Sequence, residues 1–193
     1  MSEIPELKIT QTQEWFINAL LKLMKTKPFE EIQIKELAKK ADLDRRTFYR
    51  YFKSKEDVLE LYSGLIMQDF AKKILAKNEL SLRTVVISYF EFWDEYIDFL
   101  KLLRESHMTY FFIERMDRLI YQYVSLKVKP YLIGQELSKE TRYSFFFHFG
   151  GLWSMLNRWI AEEPRDTPEE MARIVVEVIY NGKNKDEVTE SAL

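Results

Sequence analysis

The chain has no cysteine. Disulfides and thiolate-held zinc are therefore excluded, and a reducing compartment is compatible. Glycine and proline are scarce, five of each in 193 residues, which argues against a linker-rich or low-complexity chain. No uncharged apolar run is long enough to cross a bilayer, so no membrane association is expected. The first residues, Met1-Ser-Glu-Ile-Pro-Glu6, lack the basic and then apolar pattern of a secretion signal, and the cytoplasm is the expected location. Histidine is nearly missing too. His107 and His148 have no partner at metal-ligating spacing, so no metal site is expected. There is no Gly-rich phosphate loop, no Gly-x-Ser-x-Gly and no paired-carboxylate motif. No catalytic residue and no cofactor follow from the residues. Acidic pairs such as Glu30-Glu31 and Glu169-Glu170 read as helix caps and solvated faces.

What is present is apolar and aromatic. Hydrophobic residues make up 47% of the chain and aromatics 15%, recurring at helical spacing with no alternating strand pattern, so an all-α fold is expected. Net charge is −2, but residues 1–56 hold 12 Lys/Arg against 9 Asp/Glu. The basic excess sits at the N-terminal end, and the remainder is net acidic.

Thr10-x-x-Gln13 reads as a capping box for a first helix carrying Trp15, Phe16, Ala19, Leu20 and Leu23, which ends before Pro28. Ile34, Leu37 and Ala38 then mark a short helix, and Lys39 to Leu43 a tight turn. Asp44 is a good N-cap for another short helix starting at Arg45. Phe48 and Phe52 lie four apart, so both can anchor that helix on one side. Arg45, Arg46, Thr47, Tyr49 and Arg50 are left for other faces, with donors suited to phosphates and base edges. Residues 33–52 thus read as a helix-turn-helix. Ser54 with Asp57 opens a long helix running towards Asn78.

Phe29-Glu-Glu-Ile-Gln-Ile-Lys-Glu-Leu-Ala38 and Ala41-Asp-Leu-Asp-Arg-Arg-Thr-Phe-Tyr-Arg-Tyr-Phe-Lys-Ser-Lys-Glu-Asp-Val-Leu59 closely resemble the DNA-binding domain of TetR/AcrR-type transcriptional regulators. The resemblance implies a double-stranded DNA operator as partner. It implies DNA contacts at Gln33, Lys35, Arg45, Arg46, Thr47, Tyr49, Arg50, Tyr51 and Lys55, the last two to phosphate. Two departures stand out. The family usually has Thr or Ser at the position of Gln33, a poorer N-cap. It usually has Gly at the position of Asp42, and Asp tolerates a left-handed backbone better than most residues.

Beyond the motif, Ser81 opens an amphipathic stretch through Leu82, Val86, Phe90, Trp93, Ile97 and Leu100. A break near Glu105-Ser-His107 precedes a helix from Met108 to Val128 that ends at Pro130. Ser138 caps the next, through Ile160. Thr167-Pro-Glu-Glu170 starts the last, which Asn181-Gly182 closes. The expected organisation is a DNA-binding domain over 1–56, a helical ligand-binding and dimerisation domain over 57–182, and a tail over 183–193.

Aromatic richness in the middle helices is compatible with an ordinary core. The resemblance implies an effector site there for a small apolar or aromatic molecule, with Phe90, Trp93, His107, Tyr110, Phe111 and Phe147 as candidates. Gly150-Gly151 sits inside an apolar helical pattern, where each glycine costs about 1 kcal/mol; close approach of another helix would offset that, and a kink that shapes a pocket is the rival explanation. In the family, the last two long helices pack against the same pair in a second subunit. Gly150-Gly-Leu-Trp153 through Arg158-Trp-Ile160, with Thr167-Pro-Glu-Glu-Met-Ala172, is similar to members related to the dihydroxyacetone-metabolism activator DhaS. A homodimer is expected through Phe146, Gly150, Gly151, Trp153, Leu156, Ile174, Val175 and Val178. The expected function is a sequence-specific repressor released by a small effector. The alternatives are a regulator or coactivator controlled by a partner protein and, from another class, a small α-helical enzyme.

Overall fold

The computed structural model describes residues 6–77, 81–116 and 138–190, with the backbone alone at 75, 141, 142, 145 and 180–190. The regular elements are α1 (Gln11–Met24), a 3-10 turn (Phe29–Glu31), α2 (Ile34–Lys40), α3 (Arg45–Tyr51), α4 (Lys55–Leu75), α5 (Leu82–Glu95), α6 (Ile97–Glu105), α7 (109–116), α8 (Lys139–Ala161) and α9 (Pro168–Glu190). The all-α expectation holds, with no strand among the described residues. The expected helix from Met108 to Val128 and its stop at Pro130 lie outside the described residues beyond 116. So do the first five residues of the arm, Asn78, and residues 191–193 of the tail.

The chain forms two compact units: Met1–Lys72 with Asp98–Tyr143, and Lys73–Ile97 with Ser144–Leu193. In the first, the helix ends follow their sequence signals. Thr10 accepts from the Gln13 N–H at 3.3 Å, and Gln13 accepts from the Thr10 N–H at 2.9 Å. Ser54 and Asp57 form the same reciprocal pair at the start of α4, at 3.3 and 3.2 Å. Phe16, Leu20, Leu37, Phe48 and Phe52 are buried. The Phe16 ring meets Phe48 at 5.2 Å and Phe52 at 5.9 Å, both edge-to-face. Further along α4, Tyr62 packs on Phe99 and Phe99 on Phe112, while Glu60 pairs with Arg115 at 2.9 Å.

In the second unit α5 packs along α9. Phe90 meets Trp159 at 5.3 Å and Trp93 meets Trp153 at 6.2 Å. The Trp159 indole N–H donates to the Asp166 carbonyl at 2.7 Å, which ties α8 to the loop before α9. Arg165 stacks on Trp159 and bonds Asp94 at 2.7 Å. Burial pushes the Tyr89 phenol far above its ordinary pKa.

Two helix limits differ from expectation. The stretch from Ser81 to Leu100 breaks at Tyr96, which leaves helical geometry and turns its N–H back to the Trp93 carbonyl. Ile97 and Leu100 keep helical spacing across that break, so periodicity cannot reveal it. The last helix passes through Asn181-Gly182 and continues to Glu190. One interior glycine costs only about 1 kcal/mol, too little to stop a helix that good formers continue.

Candidate nucleic-acid interface

The turn between α2 and α3 is built without glycine. The Leu43 N–H reaches the Ala38 carbonyl at 3.0 Å and the Asp42 N–H reaches Lys39 at 3.2 Å. This paired closure of a helix C-terminus requires a left-handed residue, and Asp42 supplies it at φ 57°. His107 closes α6 in the same way, at φ 55°, with the Met108 N–H on the Leu103 carbonyl at 2.8 Å. It is therefore a helix-end residue and exposed.

Asp44 then starts α3 by accepting from the Thr47 N–H at 2.6 Å. That bond is the main cause holding the Asp44 carboxyl below its ordinary pKa. With Phe48 and Phe52 turned inward, Arg45, Arg46, Tyr49 and Arg50 are exposed, and Thr47 and Tyr51 half-buried. Tyr49 is 53% accessible. Among the described residues, no carboxylate forms an ion pair with Arg45, Arg46, Arg50 or Lys35. The Arg50 guanidinium lies 5.0 Å from the Tyr51 ring centre. A hydrogen bond with Thr12, aided by the Arg50 charge, lowers the Tyr51 phenol pKa.

At the start of α2, Gln33 makes no side-chain cap. Glu36 compensates by accepting from the Gln33 N–H at 3.1 Å. Lys27 bonds both Glu36 oxygens at 2.7 and 2.8 Å. The Lys27 bond first, and the Gln33 N–H second, keep the Glu36 carboxyl below its ordinary pKa. Gln33 and Lys35 remain exposed. An open groove of about 480 Å³ runs between the starts of α2, α3 and α4, lined by Gln33, Lys35, Arg45, Tyr49, Lys53 and Lys55 among others.

Lys55 corrects an expectation. Its ammonium donates to the carbonyls of Phe29, Glu30 and Ile32 at 2.6, 2.8 and 3.0 Å. An ammonium has three N–H donors, so none is left over for a phosphate. The exposed lysine of the Lys53-Ser-Lys55 pair is Lys53.

Of the six effector candidates, His107, Tyr110 and Phe111 belong to the first unit and Phe90, Trp93 and Phe147 to the second. Phe90 and Trp93 are fully buried in the second unit. Tyr110 is 78% and Phe147 79% accessible, Phe111 is half-buried and His107 exposed. The dimer candidates divide likewise. Trp153, Leu156 and Val175 are buried within the chain. Phe146, Gly150, Gly151 and Val178 are exposed, and Ile174 is half-buried. A Cβ built on Gly150 or Gly151 meets nothing within 4 Å among the described residues. Among the described residues, no cluster of three or more His, Asp or Glu could hold a metal ion, and no helix is long and apolar enough to cross a membrane.

The family model for bacterial regulatory proteins of the tetR family matches residues 16–62. That for a transcriptional regulator C-terminal region matches residues 81–181, more than half of the chain. No curated protein matches. Among solved structures, the fatty acid degradation regulator FadR from Bacillus halodurans is 18% identical with a TM-score of 0.60, covering 88% of this chain and 94% of its own. FadR from Bacillus subtilis, solved with stearoyl-CoA, is 16% identical with a TM-score of 0.55, covering 86% and 96%. The dihydroxyacetone kinase operon activator DhaS is 19% identical with a TM-score of 0.51, covering 89% and 96%. At such identities the likeness is one of fold. With the two family models spanning its helix-turn-helix and its C-terminal helices, the chain belongs to the TetR family of bacterial regulatory proteins.

Proposed function

We propose that this chain is a cytoplasmic, homodimeric repressor that binds a two-fold symmetric operator. Residues 1–56 serve DNA binding, and residues 57–182 serve dimerisation and effector control. The observation that carries the reading is the exposed basic face of α3, whose arginines form no ion pair among the described residues, beside the open groove. Arg45, Arg46, Thr47 and Tyr49 enter the major groove, while Gln33, Lys35, Arg50, Tyr51 and Lys53 meet the phosphates. One such head reads only a few base pairs, so two are needed, with half-sites about one helical turn apart or a multiple of it.

The exposed Phe146, Gly150, Gly151 and Val178 support a dimer through α8 and α9, because apolar surface of this kind is hidden in a two-fold interface. A small apolar or aromatic effector among the middle helices rests on the family resemblance alone; the fully buried Phe90 and Trp93 favour the alternative, a regulator controlled by a partner protein. An effector switches the protein only by binding one head spacing better than the other.

The test is selection of an operator from random duplexes, with sedimentation of the chain alone. A palindromic site and a dimer at micromolar concentration are expected. Gly150→Leu should yield a folded monomer with weak operator binding, and Arg46→Ala should relax specificity at one position by about 1–3 kcal/mol. A monomeric wild type, or an Arg46→Ala chain with unchanged base preference, would sink the respective assignment.

A further inference from the structure

The Lys55 ammonium lies where three carbonyls converge, and 4.7 Å above the ring of the buried Phe29. Those carbonyls belong to the 3-10 turn and to Ile32, which leads directly into Gln33. On the other side of the same turn, Lys27 holds Glu36, and Glu36 holds the Gln33 N–H. The turn is thus clamped from two directions, and Ile32 and Gln33 form a wall of the groove beside Arg45 and Tyr49.

We propose that Lys55 is a positioning residue for DNA binding: it fixes the turn at 29–32 against the start of α4, and so sets where Gln33 and Lys35 stand relative to α3. This rests on the DNA-binding reading of the head. The geometry also says which substitute fails. Three carbonyls around one point suit a compact ammonium with donors spread about a single nitrogen. A guanidinium is a flat fork, larger and directional, and cannot reproduce them. Against a phosphate, by contrast, arginine is at least as good a ligand as lysine. Lys55→Arg therefore separates a brace from a phosphate contact.

The experiment compares the full-length wild type, Lys55→Arg and Lys55→Met on the operator selected by the wild type. Affinity is measured over a range of salt concentrations, well below the melting temperature of every variant. Hydrogen exchange is followed at the amides of Glu31, Ile32 and Gln33. Both variants should lose about tenfold in affinity, the size of one charged hydrogen bond, with the salt slope of the wild type retained. Those amides should exchange faster, while α1 and α3 keep their protection.

Wild-type affinity in Lys55→Arg, with about 0.9 unit of salt slope lost in Lys55→Met, would make Lys55 a phosphate ligand and overturn the proposal. So would wild-type affinity in both variants, or exchange raised evenly over the whole head with binding per folded molecule unchanged. A wild-type chain that enriches no duplex overturns the DNA-binding reading itself; the exchange rates then still decide whether the brace exists.

Discussion

Helices α2 and α3 have seven residues each, whereas α8 and α9 have 23 each. A seven-residue helix leaves about four N–H and four C=O groups without internal partners, more than it satisfies. Alone in water such a helix does not persist. The head accordingly fixes its helices by their ends: Gln33 with Glu36, Asp44 with Thr47, Asp42 in the left-handed turn, and Lys55 on three carbonyls. The α5–α8–α9 unit relies instead on broad aromatic faces, with Phe90, Trp93, Leu156 and Trp159 almost fully hidden. The contrast teaches where each part is vulnerable. Polar substitutions at helix ends should disturb the head, and loss of apolar volume should dominate in the second unit.

Phe48 is the place to break that contrast, because it is an apolar anchor inside an end-capped head. Phe48→Ala should cost about 3–5 kcal/mol. Hydrogen exchange should show protection lost over α1–α3 and kept over α5 and α9. Trp93→Ala, of similar size, should show the reverse. If either variant loses protection evenly over the whole chain, the two units do not unfold separately.

A smaller effect sharpens the contrast. Asp44→Ala removes a cap that α3 cannot replace, and should lower the melting temperature at neutral pH. The sign of its pH dependence follows from the lowered carboxyl pKa. The folded head favours the carboxylate, so the stabilisation is complete above the ordinary Asp range and is lost as pH falls through the lowered value. The gap between wild type and variant should therefore close in acid, below about pH 4. Asp44→Asn should keep most of the cap without that titration. A gap that stays constant down to acid pH would remove the carboxylate from the explanation.

The smallest effect is at the turn. Asp42→Gly relieves the left-handed backbone but frees the unfolded chain, and the two should cancel to within about 0.5 kcal/mol. Asp42→Ala, with no such relief, should cost about 1 kcal/mol by thermal melting.

The head was largely legible in the sequence because its signals are local. Thr10-x-x-Gln13, Ser54 with Asp57, Asp44 as cap and the Phe48–Phe52 spacing each involve residues a few positions apart, and each appears in the structure. Lys55 was misread because its partners lie 23–26 positions away, beyond any local pattern. In the second unit, periodicity identified apolar residues but not which of them face inward. Trp153 and Leu156 share one helix with Phe146 and Phe147, and only the fold separates the buried pair from the exposed pair.

The edge-to-face meeting of Phe16, Phe48 and Phe52 has a consequence for genetics. One small aromatic cluster carries the attachment of α3 to α1, so its loss is graded by how much ring is removed. Phe52→Leu keeps part of the volume and costs about 1–2 kcal/mol. In a domain of 60–100 residues that lowers the melting temperature by about 4–8 °C per kcal/mol. A strain carrying it should keep the regulator working in cool culture and lose its function on mild warming. Buried residues of the head would thus yield temperature-sensitive alleles, and a screen for such alleles should return to these three phenylalanines.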